Sequence, residues 1–381
     1  MDLELNEAQR QTRDTARRFA RERLAAVAVE TDRTHRYPAE IIAELGRLGM
    51  MGVFVPEKWG GAGLDNVSYA LTIEELSVAC AATGTIVSAH SSLATWPILG
   101  LGSDAQRAQF IPRMASGEWL GCFALTEPQA GSDAAAQRTR AVADGDSYVL
   151  NGTKNFITNG PQAAVAIVFA ATDPAQGHRG VSAFIVETSS PGWQIARTEE
   201  KLGIHAAHSA QISINDLRVP RANLLGAEGD GFRAAMKTLD GGRIGIAAQA
   251  VGIGRAALED SLAYANTRKA FGGPIARHQA IQFKLADMAL EVDAARLLTW
   301  RAAVLKDDGR PCTREASIAK LYAAETAMRA TTEAIQIHGG YGYTREFKVE
   351  RYFRDAKITE IYEGTSEVQR MVIASYVAGN R

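Results

Sequence analysis

Residues 279–306 read QAIQFKLADMALEVDAARLLTWRAAVLK, and this stretch decides the fold class of the chain. Hydrophobic side chains recur in it every three or four residues, which is the spacing of one face of an α-helix. They are Ile281, Leu285, Met288, Val292, Ala295, Leu298, Ala302 and Leu305. Because a continuous apolar face must be covered by other helices, the stretch predicts one long helix of a bundle.

The partner helices are predicted in the same part of the chain. Residues 245–269 and 314–338 repeat the helical spacing of apolar positions. A fourth helix is expected from Ser366, because Ser366 and Gln369 have the spacing of a capping box. Four long helices with short connections predict a C-terminal four-helix bundle domain over residues 223–381.

The pattern is different over residues 121–222. Asn151-Gly152 separates two strand-like runs, residues 147–150 and 153–158, and this dipeptide favours the tight turn of a β-hairpin. Further strands are predicted at residues 164–171, 181–188 and 211–215. This part of the chain therefore predicts a middle β domain of barrel-like or sandwich form.

Residues 1–120 predict several short helices, because apolar positions three or four apart are interrupted by Gly and Pro. They form an N-terminal helical domain in the predicted organisation. The whole chain is expected to be an α+β protein, mainly α, in which a β domain lies between two helical domains.

The composition excludes several classes of protein. The 42 Lys and Arg are balanced by 43 Asp and Glu, so the chain lacks the basic field of a nucleic-acid-binding protein. Its three cysteines are scattered, which argues against a disulfide framework and a cysteine metal site. His205 and His208 have no acidic or cysteine partner at a suitable spacing, so no metal is predicted.

No apolar run approaches the roughly 18 residues of a membrane span, and no membrane insertion is expected. The N-terminal residues mix acidic and basic side chains and contain no apolar core of a secretion signal. The predicted location is the cytoplasm, or the mitochondrial matrix if a transit peptide has been removed.

Three segments combine reactive or polar side chains with glycine: residues 123–133 (FALTEPQAGSD), 268–272 (RKAFG) and 361–367 (IYEGTSE). Taken singly, each has an ordinary structural explanation. The first is a Pro/Gly loop, the second a cation ending a helix, and the third an acid preceding a helix. The loop reading is favoured for the first segment, although such a loop could also present backbone N–H groups to a phosphate or a flavin ring.

Together with residues 151–160 (NGTKNFITNG) and 336–340 (QIHGG), these segments resemble the acyl-CoA dehydrogenase family along essentially the whole chain. The order of helical, β and helical domains also matches that family. Residues 240–246 (DGGRIGI) and 285–289 (LADMA) look most like its short-chain branch, which oxidises butyryl-CoA.

The resemblance implies an FAD-dependent oxidoreductase of fatty acid β-oxidation that converts a short-chain acyl-CoA to the trans-2-enoyl-CoA. Glu363 matches the family's general base, which removes the α proton while a hydride passes from Cβ to flavin N5. The family holds the thioester carbonyl between the backbone N–H of this residue and the ribityl 2′-hydroxyl of FAD. The α C–H is weakly acidic, so the base must be strengthened. Once substrate excludes water from the pocket, we expect burial to raise the pKa of Glu363 more than the following helix N-terminus lowers it.

The family's FAD contacts match two sets of residues. The sheet-side flavin residues are Phe123, Leu125, Thr126, Ser132, Phe156, Ile157 and Thr158. The helix-side flavin residues are Arg268, Phe271, Gln279, Gln336, Gly339 and Gly340, which in the family contact the FAD of a neighbouring subunit. Thr365 and Glu367 match positions that serve the adenine half. A homotetramer is therefore implied. Phe156 stands where the family more often has Trp, and Gln129 stands where it often has Gly. The resemblance therefore does not determine how the flavin ring is packed or which shape the loop takes.

Substrate positions carry over in the same way. Those that match the CoA-binding positions are Ser132, Asp240, Arg243, Tyr362 and Gly364. Gln249, Ile253 and Thr359 resemble the residues that close the acyl tunnel in the short-chain branch, where a bulky amide leaves room for few carbons. The alternative for Gln249 is a polar helix residue facing solvent. The implied electron acceptor is an electron-transferring flavoprotein.

Three alternatives remain at this point. In a branched-chain dehydrogenase of the isovaleryl or 2-methylbutyryl type, the base comes from the residue before the Arg243 position, which is Gly242 here. An acyl-CoA oxidase reacts directly with oxygen and usually carries a further C-terminal domain. A non-catalytic acyl-CoA-binding flavoprotein is expected to have lost the base, whereas Glu363 is present.

Overall fold

The computed structural model describes residues 4–379 of the chain. The first part is helical, as expected, and begins at a capping box in which the Asn6 and Gln9 side chains accept from each other's backbone N–H. Its helices are α1 (Glu7–Phe19), α2 (Ala25–Thr34), α3 (Ala39–Arg47), α4 (Asn66–Ala79), α5 (Ala81–Ser88), α6 (Trp96–Leu101) and α7 (Asp104–Ala115). A π-helical turn, Ala20–Leu24, joins α1 to α2, and another, Ala89–Thr95, joins α5 to α6.

Helix α4 is buried over most of its length, together with α5 and the π-helical segment Ala89–Thr95. Its two consecutive glutamates are buried but paired. Glu75 forms ion pairs with Arg17 at 2.8 Å and with Arg255, and Glu74 with Arg255 at 2.7 Å and Arg296 at 3.0 Å. Because buried charges require such partners, this network joins α4 to the helices on either side of it.

The middle of the chain forms one curled seven-stranded sheet. Its strands are β1 (Gly121–Ala124), β2 (Arg140–Asp144), β3 (Ser147–Thr158), β4 (Val165–Ala171), β5 (Val181–Glu187), β6 (Trp193–Thr198) and β7 (Ser209–Pro220). They lie in the order β1-β4-β2-β3-β7-β6, and β5 also pairs with β4. Strands β1 and β2 run parallel to β4, and the other pairs are antiparallel.

The predicted hairpin at Asn151-Gly152 is wrong. The turn lies instead at Gly145-Asp146, where Asp144 pairs with Ser147 across β2 and β3. Gly152 is inside β3, at an irregularity in its pairing with β7. A Cβ on Gly152 would lie 2.3 Å from Thr139 Oγ1, so this glycine permits close backbone packing in the sheet.

The last part of the chain is a helical bundle built around α8 (Gly231–Thr267) and α10 (Thr313–His338). The other helices are α9 (Gln279–Asp307), α11 (Val349–Lys357) and α12 (Ser366–Val377). A small hairpin, β8 (Lys269–Ala270) with β9 (Gly273–Pro274), follows α8. Helix α8 also packs on α4, so the bundle and the N-terminal helices share one hydrophobic core.

Two details of the predicted bundle are corrected. Helix α8 begins at Gly231 rather than at Gly245, because Gly241, Gly242 and Gly245 are accommodated inside it by close packing. Thr365, not Ser366, caps α12, and its Oγ1 accepts from the Val368 N–H at 3.3 Å.

The mainly α, α+β fold with a sheet between two helical parts is confirmed. No described helix has the length and hydropathy needed to cross a bilayer.

Candidate active site

Glu363 lies in the loop between α11 and α12, in a backbone conformation that few side chains adopt. Its φ is +53°, and that of the next residue, Gly364, is +95°. A non-glycine residue in this left-handed region costs on the order of 1–3 kcal/mol and needs support from its surroundings. Lys320 Nζ donates to the Gly364 carbonyl at 2.7 Å, and Gln369 Nε2 donates to the Glu363 and Gly364 carbonyls at 3.2 and 2.9 Å.

The carboxylate of Glu363 points into an apolar contact between α8 and the N-terminal helices. Its Oε2 is buried and has no hydrogen-bond partner among residues 4–379. Gly242 faces this oxygen, since a Cβ there would lie 2.0 Å from Oε2 and 2.7 Å from Leu93 Cδ2. Burial raises the pKa of Glu363 to about 7, against the charges of Lys320 and Arg243, which lower it.

The backbone N–H of Glu363 donates to no acceptor in the described part of the chain. A base and an unused N–H donor thus belong to the same residue. Such a pair can remove a proton next to a carbonyl and stabilise the negative charge that develops on the carbonyl oxygen.

Gln249, Ile253 and Thr359 are all buried, so a solvent-facing Gln249 is excluded. Gln249 Nε2 donates to the Ala81 carbonyl at 3.0 Å and to Thr85 Oγ1 at 2.7 Å. Its Oε1 accepts from the hydroxyl of Tyr362. The amide therefore joins α8 to α5 and to the loop of Glu363. It lies two helical turns, about 10 Å, along α8 from Gly242.

Asp240 and Arg243 lie on the first half of α8 and form an ion pair at 2.9 Å. Asp240 Oδ2 also accepts from the Thr313 hydroxyl at 2.7 Å, and burial raises the pKa of this carboxyl. Tyr362 and Gly364 flank Glu363 directly. The structure thus places Arg243, Tyr362 and Gly364 near the candidate base, and Asp240 beside Arg243. Ser132 lies in the exposed loop after β1, and no hydrogen bond links it to them in residues 4–379.

The sheet-side flavin residues lie where β1 and β3 end. The Asn155 N–H donates to the Thr126 carbonyl at 2.8 Å, and the buried Lys154 Nζ to the Leu125 carbonyl at 3.1 Å. Thr158 Oγ1 is 3.4 Å from Ser209 Oγ. Phe156 has a φ of +56° and is 62% exposed, so an aromatic face is presented beside these backbone groups.

The helix-side flavin residues lie at the ends of α8 and α10. Arg268, Gly339 and Gly340 line a cavity of about 450 Å³ with Tyr341, whose ring centre is 5.5 Å from the Arg268 guanidinium. A Cβ on either glycine would meet no atom within 4 Å. Phe271, in the loop between β8 and β9, is 98% exposed.

The remaining predicted positions lie at helix ends. Gln279 is the first residue of α9, and Gln336 is in the last turn of α10. Thr365 caps α12, and the exposed Glu367 is in its first turn. Exposed aromatic rings, open glycine backbone and a guanidinium fit a ligand with a flat ring and phosphates, as FAD has. Within the described residues, no hydrogen bond, ion pair or ring contact joins the two sets of flavin residues.

Three side chains of the site were not predicted from the sequence: Leu93, Lys320 and Thr85. Leu93 approaches Gly242, Lys320 contacts the Glu363 loop, and Thr85 contacts Gln249. Only Lys320 had a usable signal. The residues three and four positions away on the same helix face are small, namely Ala316, Ser317, Ala323 and Ala324, and a charge in such surroundings must have a specific role or partner.

The fold and this site define a flavin-dependent oxidoreductase in which a sheet lies between two helical parts. Family models of the acyl-CoA dehydrogenase N-terminal, middle and C-terminal domains match residues 6–118, 122–217 and 229–378. The chain belongs to the acyl-CoA dehydrogenase family. These enzymes use FAD, and two solved structures with this fold contain FAD or FADH2, so the chain is an FAD-dependent enzyme that dehydrogenates acyl-CoA.

Individual relatives are similar over almost the full length. The mitochondrial short-chain specific acyl-CoA dehydrogenase of Bos taurus is 51% identical over 375 residues, 98% of this chain and 91% of that protein. Butyryl-CoA dehydrogenase from Megasphaera elsdenii has a TM-score of 0.98 at 46% identity, covering 99% of this chain and 100% of that chain. A chain from a structure of the electron transferring flavoprotein of Acidaminococcus fermentans has a TM-score of 0.98 at 47% identity, covering 99% of both.

Gly242→Ala tests whether the position of the Glu363 carboxylate matters for activity. The new Cβ would lie 2.0 Å from Oε2, so the carboxylate must move. Because misplacement by about 1 Å can cost roughly 10²-fold, we expect a loss of that order in the anaerobic rate of flavin reduction by acyl-CoA. Gly241→Ala is the matched control, since its Cβ would meet the flexible end of Lys306 at 3.3 Å and Ser92 Cβ at an ordinary contact distance of 3.9 Å. Equal losses in both variants would contradict this assignment.

Proposed function

We propose that the enzyme acts on short-chain acyl-CoA thioesters, butyryl-CoA among them, and forms the trans-2-enoyl-CoA with Glu363 as the general base. The observation that carries the proposal is the buried Oε2 of Glu363, which has no partner in the described chain and lies against Gly242 and Leu93. The names of the Bos taurus and Megasphaera elsdenii relatives support a short acyl chain.

The proposed role of Glu363 follows from its two functional groups. Its carboxylate removes the α proton, and its backbone N–H donates to the thioester carbonyl, on which negative charge develops. Both groups are fixed by the left-handed loop, so little reorganisation is needed at the moment of proton transfer. The chemistry that bound FAD supplies is acceptance of the hydride from Cβ.

The position of Gly242 supports Glu363 over the branched-chain alternative. A carboxylate at residue 242 would start from a Cβ that already overlaps the Glu363 carboxylate. The two bases therefore exclude each other in this geometry, and only Glu363 is present.

The proposed FAD site combines two subunits. The sheet-side residues, with the exposed Phe156, would hold the ring system. Arg268, Gly339 and Gly340 would bind phosphate of the FAD in a neighbouring subunit, with Thr365 and Glu367 towards the adenine half. A guanidinium beside unhindered backbone suits an anion with several oxygens.

A homotetramer is supported by an apolar stripe on α9. Phe283, Leu290, Leu297 and Val304 are exposed and recur every seven residues, so they share one face of the helix. A stripe of this kind on a water-exposed helix can be buried against a second copy of the chain.

The similarity to a chain from a structure of an electron transferring flavoprotein supports such a flavoprotein as the electron acceptor.

The test of the proposed base is Glu363→Gln, which keeps the size of the side chain and removes its basicity. Flavin reduction by butyryl-CoA should fall by about 10²–10⁴-fold, as is typical when a general base is lost. In the unsubstituted enzyme the rate at limiting substrate should rise with pH through about 7, because the deprotonated carboxylate is the active form.

Stopped-flow absorbance at several pH values measures both effects. Glu360→Gln, three residues earlier, is the control and should leave the rate nearly unchanged. FAD content should persist in both variants. Near-normal flavin reduction in Glu363→Gln would refute its role, and rapid consumption of oxygen by the reduced enzyme would favour an oxidase.

Gln249→Ala tests the proposed end of the acyl site. The unsubstituted enzyme should reduce its flavin faster with butyryl-CoA than with octanoyl-CoA. The variant should shift this preference towards longer chains, since each methylene that can then be buried contributes about 0.8 kcal/mol. Thr85 and the Tyr362 hydroxyl lose their partner, so the variant should also be less thermostable. An unchanged ratio of the two rates would contradict the assignment.

Leu290→Arg tests the assembly. Light scattering should give a tetramer for the unsubstituted chain and a smaller species for the variant, because a buried unpaired charge opposes association. If a neighbouring subunit completes the FAD site, the FAD content per chain should fall together with the molecular mass of the assembly. Val142→Arg, at an exposed position on β2, is the control. A variant that remains tetrameric with full FAD would show that this stripe is not the contact.

A further inference from the structure

Lys320, on α10, has a side chain that is fully buried. Its Nζ donates to the Gly364 carbonyl at 2.7 Å. No carboxylate lies within 4.0 Å of it in residues 4–379, so it has no ordinary ion pair. Removing an ammonium group from water without a close counter-charge is costly, and the position therefore requires an explanation.

The charge of Lys320 acts beside the candidate base, since Gly364 follows Glu363 directly. Lys320 and Arg243 are the cations that interact with the Glu363 carboxylate, and the hydroxyls of Tyr69 and Tyr362 also face it. Arg243 is paired with Asp240 at 2.9 Å. Lys320 itself also interacts with the more distant Glu360 and Glu367. Lys320 is thus the cation near Glu363 that lacks a close carboxylate of its own.

We propose that Lys320 is a positioning residue with two effects on the proposed base: its hydrogen bond to the Gly364 carbonyl holds the Glu363–Gly364 segment in the left-handed conformation, and its charge keeps the Glu363 carboxylate ionised. The proposal rests on the proposed function of Glu363. It assigns Lys320 no contact with substrate or FAD.

The mutual electrostatics of the two groups agree with this geometry. Burial lowers the pKa of Lys320 to about 8, and the carboxylate of Glu363 opposes that decrease. Burial raises the pKa of Glu363 to about 7, and the charge of Lys320 opposes that increase. Removing the lysine charge must therefore raise the pKa of Glu363 and reduce the ionised fraction near neutral pH.

Three variants of the FAD-loaded enzyme separate charge from positioning. Lys320→Met removes both the charge and the hydrogen bond, and Lys320→Arg keeps the charge. Gln369→Leu removes the uncharged donor to the Gly364 carbonyl, which Lys320 also contacts, and to the Glu363 carbonyl. The first readout is the pH dependence of flavin reduction at limiting butyryl-CoA. The second, independent of activity, is an isotope-edited infrared titration of the Glu363 carboxyl, assigned by its absence in Glu363→Gln.

Lys320→Met should move the acidic limb of the rate profile and the infrared titration to higher pH by about one pH unit. At pH 7 this lowers the rate by about fivefold, because a one-unit increase from a pKa of about 7 reduces the ionised fraction from about one half to about one eleventh. Lys320→Arg should restore both curves. Gln369→Leu should lower the rate at every pH without shifting the midpoint of the rate profile or of the infrared titration along the pH axis. If Lys320→Met yields no folded enzyme, Lys320→Gln, which keeps a donor but no charge, gives the same comparison.

Unchanged titration curves in the charge-free variants would overturn the proposal, as would a shift of equal size in Gln369→Leu. These outcomes can be distinguished from a wrong assignment of Glu363 as the base. If that assignment were wrong, Glu363→Gln would retain rapid flavin reduction, independently of the results for the Lys320 variants.

Discussion

Helix α8 approaches the N-terminal helices and the Glu363 loop more closely than any side chain would permit. A Cβ on Gly245 would lie 2.3 Å from Ser88 Oγ and 2.4 Å from the Tyr69 hydroxyl, and a Cβ on Gly252 2.5 Å from the Glu74 carbonyl. Gly242 leaves the space that the Glu363 carboxylate fills. Each interior glycine weakens an isolated helix by roughly 1 kcal/mol, so packing must supply the compensation. The location of the base, of Gln249 and of the Asp240–Arg243 pair all depend on this contact.

The charges inside the molecule follow from the same packing. Glu74 and Glu75 are balanced by three arginines from three helices, and buried Lys154 by Glu127 at 2.9 Å. Glu363 and Lys320 differ, because the Glu363 Oε2 and the Lys320 side chain are buried without a close ionic partner in residues 4–379. Protein interiors rarely hold ionisable groups in this state outside functional sites. The arrangement leaves a carboxylate whose protonation changes near neutral pH.

The sheet contributes a different kind of site. Lys154 and Glu127 fix the backbone that follows β1, and Phe156 projects from the end of β3. The helix-side residues gather in another part of the chain, around the cavity at Arg268. In the proposed assembly, the two sets complete one dinucleotide site from two subunits, so the proposed assembly and the proposed cofactor site depend on each other.

Several features were determined by local sequence. The periodicity of residues 279–306 indicated α9 to within one residue, because the signal lies in consecutive residues. The motif around Glu363 indicated a candidate base through its resemblance to the family. Local signals failed where a glycine is compatible with two kinds of structure. Asn151-Gly152 favoured a turn but lies within β3. The glycines of residues 241–245 led to a predicted helix start at Gly245, whereas α8 begins at Gly231.

The tertiary structure alone decided which side chains surround the base. Nothing in the sequence near Lys320 connects it to Glu363, 43 positions later, since their contact depends on the packing of α10 against the loop before α12. The same holds for Leu93 beside Gly242 and for Thr85 beside Gln249. Helix periodicity and turn chemistry act over a few residues, whereas burial, and with it the pKa of Glu363, arises only when distant segments exclude water together.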